Sequence, residues 1–110
     1  MMDKKMEINT IKFVEAIKET ETYQKYSVQL ERIKSEPELF DKVNEYRWRN
    51  YELQNTSQVD QLFDRMDAFE KEYEKFRENP LVDDFLEAEL AFCRMMQDIN
   101  VFITEELEFE

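Results

Sequence analysis

The stretch NPLVDDFLEAELAFCRMMQDINVFI, residues 79–103, constrains the fold more than any other part of the chain. Asn79 can cap a helix with its side-chain oxygen, and Pro80 suits the first helical position because an amide there has no intrahelical partner. Apolar residues then recur at alternating spacings of four and three, which predicts a long helix with an apolar face. The first row of this face is Leu81, Phe85, Ala88, Phe92, Met95, Ile99 and Phe102.

A second apolar row makes this face wider than a single amphipathic helix needs. Its members are Val82, Leu86, Cys93, Met96, Ile103 and Leu107. A helix from Pro80 to about Leu107 is roughly 40 Å long, which exceeds what so small a bundle can cover. We therefore expect the chain to form a homodimer, or a heteromer with a paralogue, through this helix.

The first half of the chain predicts three further helices. The first helix is expected to start at Thr10 and to end near residues 19–22. Thr20 or Thr22 can cap a second, nearly continuous helix. The tetrapeptide SEPE at residues 35–38 has the spacing of a capping box and carries a proline that fits only a first turn, so a third helix should start there.

A break at residues 55–58 separates the third helix from a fourth, which Ser57 can start with Asp60 three residues later. The inner face predicted for the third helix is Leu39, Phe40, Val43, Tyr46, Tyr51 and Leu53. The inner face predicted for the fourth is Val59, Leu62, Phe63, Met66, Phe69, Tyr73 and Phe76. The chain is therefore predicted to be all-α, a bundle of four to five helices with a long C-terminal helix.

The length and residue types limit the domain organisation and the chemistry. The 110 residues predict one helical domain, 1–110, with the N-terminal tail 1–8 and the acidic tail 108–110 frayed. The chain contains neither glycine nor histidine, which excludes glycine-rich phosphate loops, dinucleotide turns, His-based triads and the common zinc and di-iron helix motifs. We expect no enzymatic activity, no catalytic residues and no cofactor.

The net charge of −12 is unevenly distributed. Residues 1–56 hold eleven acids and ten bases, whereas residues 57–110 hold sixteen acids and five bases. Such a surface repels phosphate backbones, so we expect no direct nucleic-acid binding and favour a basic protein partner. No apolar run is long enough to span a membrane, and the first residues lack the apolar segment of a signal peptide. These observations predict a cytoplasmic protein.

Four acidic residues near the start of the last helix allow two interpretations. Asp83, Asp84 and Glu87 favour compensation of the positive helix N-terminus, and Glu89 is expected to be partly exposed in the second apolar row. The alternative function is a small-ligand or metal-binding helical bundle that uses these four carboxylates as ligands. Metal analysis and thermal shifts with divalent ions separate the two interpretations.

Sulfur-containing side chains favour packing over chemistry. Cys93 is predicted to be a buried, inert thiol because no histidine can activate it and no second cysteine can share a metal. Met66, Met95 and Met96 are expected to fill the core, although an adaptable binding surface remains the alternative.

The sequence Arg47-Trp48-Arg49 is the one cluster that combines basic and aromatic residues. Such a cluster can stack on nucleic-acid bases or anchor a protein interface, and the alternative for Trp48 is a partly packed surface position. The candidate dimer or partner interface is Leu81, Phe85, Phe92, Met95, Met96, Ile99, Phe102 and Trp48.

Several segments resemble the YlbF/YmcA family of small bacterial helical proteins, which includes YheA-type relatives. The likeness rests on Tyr23 and Tyr26, the helix start at residues 35–40, Asn79-Pro80 and the sequence FLEAE that begins at Phe85. The phrases ETETYQKYSVQLERIKSEPELFDKVNEYR and ENPLVDDFLEAELAFCRMMQDIN occur in the family's order, so the resemblance covers residues 8–103.

This resemblance implies an all-helical, typically dimeric, cytoplasmic regulator without catalytic activity. The best-studied members regulate competence, biofilm formation and sporulation, and act in a complex that influences mRNA processing by ribonuclease Y. Iron-sulfur clusters are associated with that complex through cysteines. This chain has only Cys93, and a cluster there needs ligands from other chains, so the cofactor is not carried over.

Overall fold

The computed structural model describes residues 2–56 and 58–109, without the side chain of Thr56. The described residues form helices and no strand, which confirms the all-α class. The helices in this part of the chain are α1 (Lys4–Lys18), α2 (Glu21–Lys34), α3 (Pro37–Thr56), α4 (Val59–Glu72), α5 (Glu74–Glu78) and α6 (Pro80–Glu106). The long C-terminal helix is confirmed.

The chain divides into two compact units, and two of the helices run through both. Unit 1 comprises Met1–Gln29 and Glu87–Glu110, and unit 2 comprises Leu30–Leu86. Both α2 and α6 begin in one unit and end in the other. The prediction of a single domain stays a prediction.

The first helix starts earlier than expected. It begins at Lys4, because the carboxylate of Asp3 accepts a hydrogen bond of 2.7 Å from the amide of Met6 and caps the helix. Thr10, the predicted start, lies inside α1, where its hydroxyl donates to the carbonyl of Met6 at 2.8 Å. Glu7 in the first turn adds favourable charge at the positive helix end. An Asp cap with an acid four residues later was the signal available in the sequence.

The connection from α1 to α2 agrees with the predicted capping by Thr20. Its hydroxyl oxygen accepts from the amide of Tyr23 at 3.1 Å and also donates to the carbonyl of Ile17 at 2.7 Å. One side chain thus serves the end of α1 and the start of α2, which keeps the interruption between the helices short. The next start, at Pro37, is also as predicted. The Ser35 hydroxyl donates to the carbonyl of Arg32 and serves the end of α2.

The predicted fourth helix is two helices in the structure. The backbone of Tyr73, with φ −101° and ψ 10°, leaves the helical region between α4 and α5. This interruption raises the number of helices above the four to five expected. The N-cap of α4 is Gln58, whose side chain makes no capping hydrogen bond, and the predicted start at Ser57 lies outside the described residues.

The ends of α6 are both closed by local hydrogen bonds. At its start, the side-chain oxygen of Asn79 accepts from the amide of Leu81 at 3.0 Å, as predicted. At its end, the amide of Phe109 donates to the carbonyl of Thr104 at 2.9 Å, and Glu108 adopts a left-handed φ of 54°. This is the geometry of a Schellman motif, which glycine usually supplies. A chain without glycine places a glutamate there instead.

The buried core lies in unit 2. The buried apolar side chains of the described residues are Ile33, Val43, Phe69, Val82 and Phe85. The ring of Tyr46 on α3 stacks on Phe69 of α4 at 5.2 Å and meets the edge of Tyr73 at 5.1 Å. Arg49 of α3 contacts Glu72 near the end of α4, whereas Leu53, one turn later on α3, lines a cleft with Arg65, earlier on α4. The two helices therefore run antiparallel, with an aromatic cluster between them. The predicted inner faces of α3 and α4 meet here.

Three residues assigned to inner faces are exposed, and these predictions are wrong. Tyr51 is 59% exposed, and Val59 and Phe63 are 82% and 78% exposed. Val59 and Phe63 lie in the first turns of α4, beyond the aromatic cluster, so nothing in the described chain covers them. Helical spacing assigned them to the core, but that spacing continues past the end of the packed part of the helix.

Candidate protein interaction surfaces

The apolar face of α6 is covered at its start and exposed at its end. Val82 and Phe85 are buried within unit 2, whereas Phe102 is 64% and Leu107 71% exposed. The predicted interface residues between them, Phe92, Met95, Met96 and Ile99, are half-buried, and so is Leu81 in unit 2. Since Phe85 is completely buried, it is a core side chain and is not available to a partner.

Two tyrosines of α2 provide the cover that Phe92 has. The ring of Tyr26 stacks on Phe92 at 4.9 Å with an interplanar angle of 10°, and Tyr23 meets the same ring edge-on at 5.6 Å. All three residues belong to unit 1. Their side chains are only half-buried, so this aromatic contact leaves part of each ring accessible.

Unit 1 has no buried apolar side chain among its described residues, and thirteen large apolar side chains there are exposed. We call this set the unit 1 apolar surface. Its members on α1, α2 and the N-terminus are Met2, Met6, Ile8, Ile11, Phe13, Val14 and Val28. Its members on α6 and the C-terminus are Leu90, Val101, Phe102, Ile103, Leu107 and Phe109. Soluble monomers rarely expose so many large apolar residues in one compact unit.

The contribution of α1 to this surface was missed by sequence reasoning. Met2, Met6 and Ile8 were placed in a frayed tail because the first helix was expected to start at Thr10. Met6 and Ile8 instead lie in the helix that starts at Lys4 and Met2 directly precedes its cap, and all three are 49% to 54% exposed. Ile8 lies three residues before Ile11 and Met6 seven residues before Phe13, so recognising Asp3 as the cap would have placed both on the first helix.

The thiol of Cys93 is exposed, so the prediction that it is buried is wrong, whereas the prediction that it is inert stays a prediction. Cys93 lies in the second apolar row of α6, and the described residues leave it exposed. Glu89, in the same row, is half-buried as expected and has an interaction partner. Among the methionines assigned to the core, Met66 is half-buried.

The acidic first turn of α6 takes part in an ion pair. Asp84 lies 3.5 Å from the guanidinium of Arg32, while Asp83 and Glu87 are exposed. Across residues 2–56 and 58–109, no three acidic or cysteine side chains are close enough together to hold a metal ion. The metal-binding alternative therefore gains no support from the described chain.

Trp48 is exposed and its arginine neighbours are engaged elsewhere. The Trp48 side chain is 59% exposed and stacks on Tyr51 with 5.8 Å between ring centroids. The guanidinium of Arg47 stands over the ring of Phe85 at 5.8 Å and also donates to the side chain of Asn44 at 3.1 Å. The predicted basic and aromatic cluster is thus divided between two faces of α3.

Arg49 holds α3 to α4 through a two-pronged contact. Its guanidinium donates to both carboxylate oxygens of Glu72 at 2.9 Å and to the hydroxyl of Tyr73 at 2.9 Å. It also stands over the rings of Phe69 and Tyr73, at 5.6 and 5.3 Å. The hydrogen bond from Arg49 lowers the pKa of Glu72 below its ordinary value, and the same contact raises the pKa of Arg49.

An open cleft lies beside this contact in unit 2, with a volume of about 320 Å³. Its lining residues are Arg49, Glu52, Leu53, Arg65, Ala68, Phe69 and Glu72. Ligand sites in proteins are mostly apolar and enclose their ligand, whereas this cleft is open and lined by charged side chains.

No helix of the described chain has the length and apolar character needed to cross a membrane.

Comparisons with known proteins match most of the chain to one family. A family model described as "Control of competence regulator ComK, YlbF/YmcA" matches residues 9–108. A UPF0342 protein of Caldicellulosiruptor bescii is 21% identical over 97 residues, which cover 86% of this chain and 82% of the relative. A UPF0342 protein of Desulfitobacterium hafniense is 26% identical over 91 residues, covering 81% and 73%. No solved structure matches significantly.

Proposed function

Because the chain belongs to the YlbF/YmcA family, whose description is control of the competence regulator ComK, we propose that it is a non-enzymatic regulator that acts through protein contacts. In this proposal it works as a homodimer, and the unit 1 apolar surface is the dimer interface. The observation that carries the proposal is the contrast between thirteen exposed large apolar side chains and no buried one in the described part of unit 1.

Burial of these side chains supplies the free energy of association. Each apolar side chain that leaves water contributes about 1.5–3 kcal/mol when fully buried, before the costs of association are subtracted. A helix with apolar residues on a wide face gains this only against another apolar surface. A second copy brings a matching surface, because a two-fold interface uses the same patch on both subunits.

Sedimentation of a charged variant tests the dimer. F102E places a carboxylate in the unit 1 apolar surface, so we expect it to shift the protein to monomer at concentrations where the wild type is dimeric. F63E is the matched control, since Phe63 is equally apolar and more exposed, but lies in unit 2. We expect F63E to sediment like the wild type. A monomeric wild type at tens of micromolar, or equal disruption by F63E, would contradict the interface.

The family resemblance also supports a partner. We propose that the dimer acts with the ribonuclease Y machinery and changes the processing of mRNA, without cleaving RNA itself. Deleting the gene in the native organism and mapping transcript ends tests this: ends that depend on ribonuclease Y should change, and the wild-type gene should restore them. Restoration by F102E as complete as by the wild type would separate the regulatory function from the dimer.

A further inference from the structure

The surface around Trp48 is aromatic and acidic, although its sequence reads as aromatic and basic. Consecutive residues of a helix point about 100° apart, so Arg47, Trp48 and Arg49 face different directions. The two arginines reach Phe85 and Glu72, both in unit 2. Both guanidinium groups therefore have contacts within the unit, although the Arg47 side chain is exposed, and the indole of Trp48 is exposed as well.

The helix positions that share a face with Trp48 hold carboxylates and no cation, although the guanidinium of the neighbouring Arg47 donates to Asn44 on this face. Positions three, four and seven residues away lie on the same face of an α-helix. Toward the N-terminus of α3 these positions hold Glu45, Asn44 and Asp41, all exposed. Toward the C-terminus the position three residues away holds Tyr51, whose ring stacks on Trp48. The result is a stacked aromatic pair flanked by negative charge.

The helices α3 and α4 form a helical hairpin, and α4 also combines exposed apolar side chains with carboxylates. Phe63 and Val59, one turn apart on α4, are largely exposed, and Asp60 and Asp67 lie three and four residues from Phe63. Asp67 forms an exposed ion pair with Lys71 at 3.5 Å. Both helices of the hairpin thus combine accessible apolar groups with carboxylates, which favours a partner that carries positive charge.

We propose that Trp48, Tyr51, Glu45 and Asp41 form a docking surface for an arginine-bearing segment of another protein. A guanidinium group stacks on indole and phenol rings and forms paired hydrogen bonds with carboxylates, so it matches both halves of this surface. Tryptophan and tyrosine are also the residues that most often dominate interface energies. This surface lies in unit 2 and is independent of the unit 1 apolar surface.

Charge decides between this partner and the other occupants. Phosphate backbones are repelled by the carboxylates and by the net charge of −12. A second copy would bring its own acidic hairpin to the same place, and like charges oppose that contact. An arginine-bearing segment of a different protein gains from both the rings and the charges.

Trp48 is the one tryptophan of the chain, so its fluorescence reports on this surface alone. The probes are an alanine-based helical peptide with arginines three and four residues apart, and the same peptide with lysine or glutamate in their place. We expect saturable change of Trp48 emission with the arginine peptide, weaker binding of the lysine peptide by roughly two- to fivefold for each arginine replaced, and no binding of the glutamate peptide.

Variants locate the binding, with fluorescently labelled peptide used where Trp48 is removed. We expect W48A and the double variant D41N/E45Q each to weaken the arginine peptide at least about fivefold. The matched control E31Q/E36Q removes the same charge elsewhere in unit 2 and should bind like the wild type. Circular dichroism of each variant checks that the helices are intact.

Four results would overturn the proposal. The first two are equal binding of the arginine and glutamate peptides, and unchanged peptide binding by both W48A and D41N/E45Q. The third is saturable quenching of Trp48 fluorescence by a single-stranded RNA oligonucleotide. The fourth is a Trp48 emission spectrum that changes with protein concentration in the absence of peptide. The last would place a second copy on this surface. If the protein is not a dimer, by contrast, sedimentation shows a monomer, and the peptide titration is unchanged.

Discussion

Unit 2 has buried apolar side chains, whereas the described part of unit 1 has none and exposes many large apolar side chains. In unit 2 a continuous stretch of chain returns on itself through α3 and α4, so the buried Phe69 of α4 packs against Tyr46 and Arg49 of α3. Unit 1 is formed by the two end segments of the chain, and none of its described side chains is buried. The difference teaches that similar apolar helical patterns yield a core where the chain covers both sides of the pattern, and leave exposed apolar side chains where it does not.

The largest expected effect comes from truncating one phenylalanine in each unit. F85A removes a completely buried ring, and we expect it to lower the free energy of unfolding by about 3–5 kcal/mol. F102A removes a ring that is 64% exposed, and at concentrations that favour the monomer we expect a change within about 0.5 kcal/mol. Denaturant unfolding measures both. Equal losses at low concentration would mean that unit 1 has a core of its own.

Cys93 provides a second test because it is the one cysteine and its thiol is exposed in the single chain. If a second copy covers the unit 1 apolar surface, the rate of thiol modification should fall as protein concentration rises, by roughly fivefold when the total chain concentration is about tenfold above the dissociation constant. Reaction with a chromogenic disulfide measures this rate. F102E should react at the dilute rate at every concentration, and a concentration-independent wild type would break the comparison.

The cap of α6 tests whether the two units unfold together. N79A removes the hydrogen bond to the amide of Leu81, and we expect a loss of about 1 kcal/mol in the free energy of unfolding, with N79D retaining most of it. Because α6 runs through both units, Trp48 fluorescence and Cys93 reactivity should report the same shift in midpoint. Midpoints that separate would show that unit 1 opens independently of unit 2.

The smallest expected effect is a pH dependence in unit 2. Arg49 holds the pKa of Glu72 below its ordinary value of 4.5, so the charged carboxylate favours the folded state. This contribution is present above that ordinary value and is lost as the pH falls through the lowered pKa of the folded state. The pair is exposed, so salt should reduce the contribution. Between about pH 6 and pH 3 the unfolding midpoint of the wild type should fall more than that of E72Q. Parallel curves would exclude the contribution.

The positions of the helices were largely predictable because their end signals are local. Pro37 and Asn79-Pro80 define the starts of α3 and α6 through backbone geometry and hydrogen bonds within one turn. The start of α1 was placed too late, since a threonine before an apolar run gives the same signal as a cap, and only the hydrogen bond at Asp3 identifies the true one. The break at Tyr73 carries no glycine or proline to announce it.

The candidate surfaces were only partly predictable, because periodicity shows which residues share a face but not how much of that face is covered. The spacing placed Phe85 and Phe102 in one row of α6, yet one is core and the other exposed. Likewise, the adjacent residues Arg47, Trp48 and Arg49 predict one basic and aromatic cluster. In the structure the two arginines contact Phe85 and Glu72, whereas the ring of Trp48 is exposed.

The sequence by itself determined the all-α class, the long final helix, the excess of apolar surface and the acidic charge, since each depends on residue type and spacing along one helix. Only the tertiary structure decided where that surplus is covered, because burial depends on what the rest of the chain brings to each face. It placed the covered part in unit 2 and left the α1 and late α6 residues of unit 1 exposed.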